Sequence, residues 1–200
     1  MKKIALLLFV AGLTFSCTEK KEEKATEEVA TEKTTETTYN YKSDQTTLTW
    51  TAYKTPQKVG VSGTFDTIKV TGNKASNNAE EVLAGAAFKI DGLSVNSKNE
   101  IRDPKLVEFF FKNLVNPTFN GEFGTFNNGT VDVTLNFNEV EKVIPFTYTL
   151  VENKLTINGT IDMIEDFNAT KSFDAIHEAC KELHNGKTWP DVAIEVVAQL

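Results

Sequence analysis

From Leu48 to Leu200 the chain keeps returning to a two-residue hydrophobic period. Successive side chains on a strand point to opposite faces, so such a period means one face buried and one wet. Leu48, Trp50 and Ala52 alternate with Thr47, Thr49 and Thr51. Val59, Val61, Gly63 and Phe65 follow, and the parity then slips to Ile68 and Val70, which predicts a bulge near Asp66-Thr67. Ala86, Phe88 and Ile90 form a third run, with a second slip at Gly92 to Leu93 and Val95. Phe119, Gly121 and Phe123 form a fourth, and Val131, Val133, Leu135 and Phe137 a fifth. Ile144, Phe146, Tyr148 and Leu150 make the sixth; Leu155, Ile157, Gly159, Ile161 and Met163 the seventh; Val192, Ile194, Val196, Ala198 and Leu200 the eighth. Turn residues stand between them, as at Asn127-Asn128-Gly129 and Glu152-Asn153. A parallel α/β sheet would be apolar on both faces. The pattern therefore predicts a mainly β fold, an eight-stranded antiparallel barrel or sandwich with two short helical inserts.

The first insert opens with Asp103-Pro104, read as an N-cap and a proline in the first turn. Leu106, Val107, Phe109, Phe110, Phe111 and Leu114 follow. Such a face is too apolar for a surface helix and should cover the barrel or plug one end. The second insert spans about 168–183, with Phe173, Ile176, Cys180 and Leu183 on one stripe and Gly186 as its stop.

Ahead of the strands, Met1-Lys2-Lys3 and the apolar run Ile4–Leu13 have the form of a secretory signal peptide, and the run is too short to span a bilayer. Leu13-Thr14-Phe15-Ser16-Cys17 resembles a bacterial lipobox. That resemblance implies a lipoprotein with residues 1–16 removed and Cys17 acylated. Thr18–Thr38 is built almost wholly of Thr, Glu, Lys and Ala and reads as a solvated tether. The domain is expected over residues 39–200. These features predict a cell-envelope location, lipid-anchored, at the outer membrane on its periplasmic or surface face.

The composition argues against several functions. The chain carries 21 basic and 28 acidic residues, net −7. From Tyr39 onward the count is 15 against 21, or −6. A nucleic-acid binder needs a basic face. Two Cys and two His leave little material for metal or thiol chemistry. His177-x2-Cys180-x3-His184 has ligand spacing, yet Cys180 belongs to the apolar stripe, so core packing is the expectation and no metal or cofactor is assigned. Glu80-Glu81 and Glu165-Asp166 fall in turns and read as solvated charge. No nucleophile elbow or phosphate loop is present, and no enzyme is expected.

The aromatic load is the remaining signal, with 14 Phe in the chain. Trp50, Phe65, Phe88, Phe119, Phe123, Phe137, Phe146 and Tyr148 take the inward parity, and no charge was found among the inward sets. Parity alone fits either a packed core or an apolar ligand cavity.

Several blocks resemble the YceI-like family, lipocalin-like barrels of secreted bacterial proteins. They are Trp50, Gly60-Val61-Ser62-Gly63-Thr64-Phe65, the run from Ala87 to Val95, Arg102-Asp103-Pro104-Lys105-Leu106 with Phe109-Phe110, Asn116-Pro117-Thr118-Phe119 and Asp191–Glu195. The resemblance implies a barrel that holds a polyisoprenoid or similar amphiphile. Carried over residue by residue, the eight inward aromatics with Phe109 and Phe110 would line the ligand site. The Arg102–Phe110 segment would cover one end. The alternative is a surface interaction module with a filled barrel and no ligand.

Overall fold

The alternating runs pair into one antiparallel sheet. The computed structural model describes residues 37–200. The expected signal peptide, Cys17 and the tether as far as residue 36 lie outside the described residues. The strands are β1 (Lys42–Lys54), β2 (Val59–Phe65), β3 (Ile68–Thr71), β4 (Ala87–Asp91), β5 (Val95–Asn96), β6 (Thr118–Phe123), β7 (Thr130–Phe137), β8 (Val140–Val151), β9 (Lys154–Asp162) and β10 (Thr188–Gln199). They pair in the order β3-β4-β6-β7-β8-β9-β10-β1-β2-β5.

Ten strands stand where eight were expected, because two long runs bend. The slip at Asp66-Thr67 divides β2 from β3, and a turn at Gly92–Ser94 divides β4 from β5. Both runs stay paired across the bend. Phe65 lies opposite Val95, and Ile68 opposite Ile90. Between those pairs the Asp66 N–H donates to Ser94 O at 2.9 Å and the Asp91 N–H to Thr67 O at 3.1 Å. The end strands β3 and β5 are thus continuations of β2 and β4, and the sheet curls round on itself.

Alternating strand direction decides which connections share an end of the barrel. The connections 55–58, 97–117, 138–139 and 163–187 lie at one end, and 72–86, 124–129 and 152–153 at the other. Both helical inserts therefore meet at the first end. The segment 102–113 begins as α1 (Arg102–Lys105) and continues as a π-helical turn, Leu106–Phe110. The second insert is α2 (Thr170–Cys180), which packs against that turn. Asn138 ties this end together. It sits with φ 54° in the β7–β8 turn, accepts from the Val115 N–H at 2.9 Å and donates to Phe167 O at 3.0 Å.

The other end is closed. Val82, Leu83 and Phe126 from its connections are buried, and Phe126 meets Tyr148 edge-on at 5.1 Å. Tyr148 donates through its hydroxyl to Glu80. Burial, then that hydrogen bond, raises the Tyr148 pKa. Glu80 and Asp166 were expected as solvated turn charge and are instead engaged. Asp166 pairs with Lys142 and accepts from the Asp162 N–H at 2.7 Å.

Two local expectations are corrected. Asp103 does not cap the first helix. Its carboxylate accepts from the Ser97 N–H and hydroxyl, while Asn99 Oδ1 accepts from the Ile101 and Arg102 N–H groups at 3.1 and 2.9 Å. Leu183 leaves the buried stripe because α2 stops at Cys180 and a 3-10 turn, Glu182–His184, follows.

Strand packing leaves no room at Gly121. A methyl group there would fall 2.3 Å from Thr134 O and 2.4 Å from the Phe88 ring. Gly121→Ala should lower the urea midpoint, with the loss of about 1–3 kcal/mol typical of overpacking. A midpoint equal to the parent's would show that this close approach does not constrain the sheet.

Candidate functional site

The barrel is hollow. Its interior contains a cavity of about 480 Å³, within the usual range for small-molecule sites. Eight of the ten residues assigned to ligand contact stand on its wall: Trp50, Phe65, Phe88, Phe110, Phe119, Phe123, Phe137 and Phe146. Phe109 points to solvent and Tyr148 packs at the closed end, so neither reaches the cavity wall. The π-helical turn explains Phe109, since adjacent residues on a helix cannot face the same way and Phe110 takes the inward place.

The rings support one another without filling the space. Phe65 meets Phe111 and Phe119 edge-on at 5.7 and 5.3 Å. Phe137 contacts Phe119 at 5.1 Å and Phe167 at 5.4 Å. Such contacts fix ring orientation and stiffen the wall. Trp50 is held by its Nε1–H donating to Thr64 O at 3.1 Å.

The inserts contribute wall as well as cover. Leu106, Phe110 and Phe111 line the cavity from the first, and Phe173, Ile176 and Cys180 from the second. Cys180 is a buried free thiol in that wall. His177 and His184 meet Thr188 instead; each places Nδ1 at 3.0 Å from Thr188 Oγ1. The threonine has one hydroxyl proton, so it donates to one ring at most and the other ring donates to it. No cluster of three or more metal-ligating side chains occurs among the described residues.

Polar lining is confined to the insert end. Lys54, Asn99, Arg102, Lys105, His184 and Thr188 stand there. Ile101 and Leu183 also line this mouth although they are 76% and 65% exposed. The sequence pattern does not mark Lys54, Lys105 or His184 as residues of a cavity mouth. One signal was available: Lys54 continues the inward parity of Leu48, Trp50 and Ala52 by one more step. Beside the mouth, Trp189 donates its Nε1–H to Thr55 O at 2.9 Å. The ammonium groups of Lys58 and Lys187 lie 5.1 and 4.5 Å from its ring centre.

The comparisons agree with this architecture. The model of the YceI-like domain matches residues 39–200. The chain belongs to the YceI-like family. Among solved structures, a polyisoprenoid binding domain from Saccharophagus degradans is similar at 16% identity and TM-score 0.56, over 80% of this chain and 95% of that one. BcnA of Burkholderia cenocepacia is similar at 14% identity and TM-score 0.52, over 80% and 98% of the two chains. The YCEI protein of Campylobacter jejuni is similar at 20% identity and TM-score 0.53, over 74% and 88%. These likenesses establish the fold. No curated protein matches the chain.

The mouth also carries a pH signature. Burial, then the charges of Lys54, His177 and Lys105, hold the His184 pKa below its ordinary 6.5. The folded state therefore favours neutral imidazole. As pH falls through about 6.5 the unfolded chain takes up this proton first, so the His184 contribution is complete above that value and lost below it. NMR titration should place the His184 midpoint below that of a model peptide, and His184→Gln should flatten the stability profile in this window. A midpoint at or above the peptide value would show that the mouth carries no such field.

Proposed function

We propose that this YceI-like protein is a membrane-anchored, extracytoplasmic binding protein that holds the apolar chain of an isoprenoid or similar amphipathic lipid inside its barrel. The observation that carries the reading is the cavity inside the barrel, walled by phenylalanine and aliphatic side chains, with its charged lining at the insert end. Burying hydrocarbon in such a wall gains about 25 cal/mol per Å² of apolar surface. The polyisoprenoid-binding neighbour of like fold supports the same ligand class. Holding a chain needs no reacting group.

The cavity size refines the ligand. Benzene occupies a protein cavity of about 150 Å³, so this one takes about three such units, or about eighteen carbon atoms. A longer chain would emerge past the exposed Ile101 and Leu183, which gives those two apolar side chains a role. Across a series of isoprenols displacing an apolar fluorescent probe, affinity should rise up to about three or four isoprene units and then level off. Val61→Trp, on the cavity wall, should weaken every member of the series. A folded protein that binds none of them would refute the carrier reading and favour the interaction module.

The anchored, extracytoplasmic location is supported by the signal-like start and Cys17. Cys17→Ser should abolish incorporation of labelled fatty acid and move the protein from the membrane to the soluble fraction. Unchanged labelling in that variant would remove the anchor.

A further inference from the structure

We infer that the cavity mouth is a headgroup subsite, in which Lys54, Arg102 and Lys105 select an amphiphile with an anionic polar end of the phosphate or carboxylate kind. The inference rests on the cavity holding an apolar tail and adds what the other end of that ligand must be.

Three observations support it. First, the residues that line the cavity include these three cations and no carboxylate. This occurs in a domain whose overall balance is −6 from Tyr39 onward. Second, none of the three takes part in an ion pair among the described residues. The four pairs found use Lys58, Lys112, Lys142 and Lys181. Two carboxylates of the neighbouring segments are held elsewhere, Asp103 by Ser97 and Asp191 by Lys58, and Glu100 is exposed. Third, the cations converge. Arg102 and Lys105 are one helical turn apart on α1. Lys54 ends β1 opposite Thr188, the hydroxyl that meets His184. Burial, then the charges of Lys54, His177 and Lys105, lower the His184 pKa, which sets two of the three cations around that imidazole.

A lone surface lysine without a partner is ordinary. Three unpaired cations that are half-buried on the rim of an apolar tube are different. The low-dielectric wall reduces screening and directs their field into the opening. The Lys stems can lie along the apolar wall while the ammonium groups stay at the water boundary. The Arg guanidinium matches two oxygens of a carboxylate or phosphate at once. An anion seated there would also favour protonated His184, adding a fourth cation as pH falls.

Calorimetric titration of the full chain with farnesyl phosphate, farnesol and inorganic phosphate tests this. Farnesyl phosphate should bind about tenfold or more tighter than farnesol, and added salt should shrink that ratio. In the double variant Lys54→Gln, Lys105→Gln the ratio of the two affinities should fall toward one. Because the ratio compares two ligands on the same protein, a general loss of folding does not imitate the result. Equal affinities in the parent chain would overturn the inference and leave the cavity reading standing. Inorganic phosphate binding as tightly as farnesyl phosphate would also overturn it, since the tail would then contribute nothing. Failure of both farnesyl ligands would remove the cavity reading itself.

Discussion

The bent ladder between residues 59–71 and 87–96 is the constraint on which the rest of the molecule depends. An antiparallel sheet has two edges, and it encloses a space only if those edges meet. Here they meet because two runs change direction at matching places, Asp66-Thr67 on one and Gly92–Ser94 on the other. The hydrogen bonds from Asp66 to Ser94 and from Asp91 to Thr67 carry the ladder through the bend. Without that continuity Phe65 and Phe88 would belong to opposite ends of an open sheet. With it, both stand on the wall of one cavity.

Closure then imposes a polarity. With each bent run counted as one strand the barrel has eight runs, and every odd-to-even connection between them falls at the same end. The long connections 97–117 and 163–187 are both of that kind, so both inserts arrive together and pack on each other. The opposite end receives only the connection 72–86 and shorter turns, and it is sealed by Val82, Leu83, Phe126 and Tyr148. The barrel is therefore a tube whose polar lining lies at the insert end alone.

Much of this was legible in the residues. Period two located every strand, and the two parity slips marked the bends that close the sheet. Eight of the ten assigned aromatics face the cavity, since parity fixes the direction of a strand side chain regardless of what fills the interior. The exceptions have physical reasons. Phe109 and Phe110 are adjacent on a helical turn, where sequence alone does not say which faces in. Tyr148 keeps inward parity, but strand height placed it at the sealed end, where its hydroxyl finds Glu80. Parity reports the face of a strand and not the depth along it. Lys54 at the mouth escapes notice for a related reason. The alternation was followed only while residues stayed apolar, to Ala52, although β1 and its parity continue to Lys54.

That extra step explains why a cation is tolerated on an inward position. Desolvating a charge deep in the tube would be strongly unfavourable without a partner. At the last residue of β1 the side chain is only half-buried, so the ammonium stays hydrated while its stem extends the wall. The same holds for Lys105 and Arg102 on α1. The inward face thus changes character along the barrel, from aromatic at mid-depth to basic at the rim. This gradient runs along the strands, whereas the alternation that builds the fold runs between their faces. The first determines what the cavity can hold, and the second determines that there is a cavity at all.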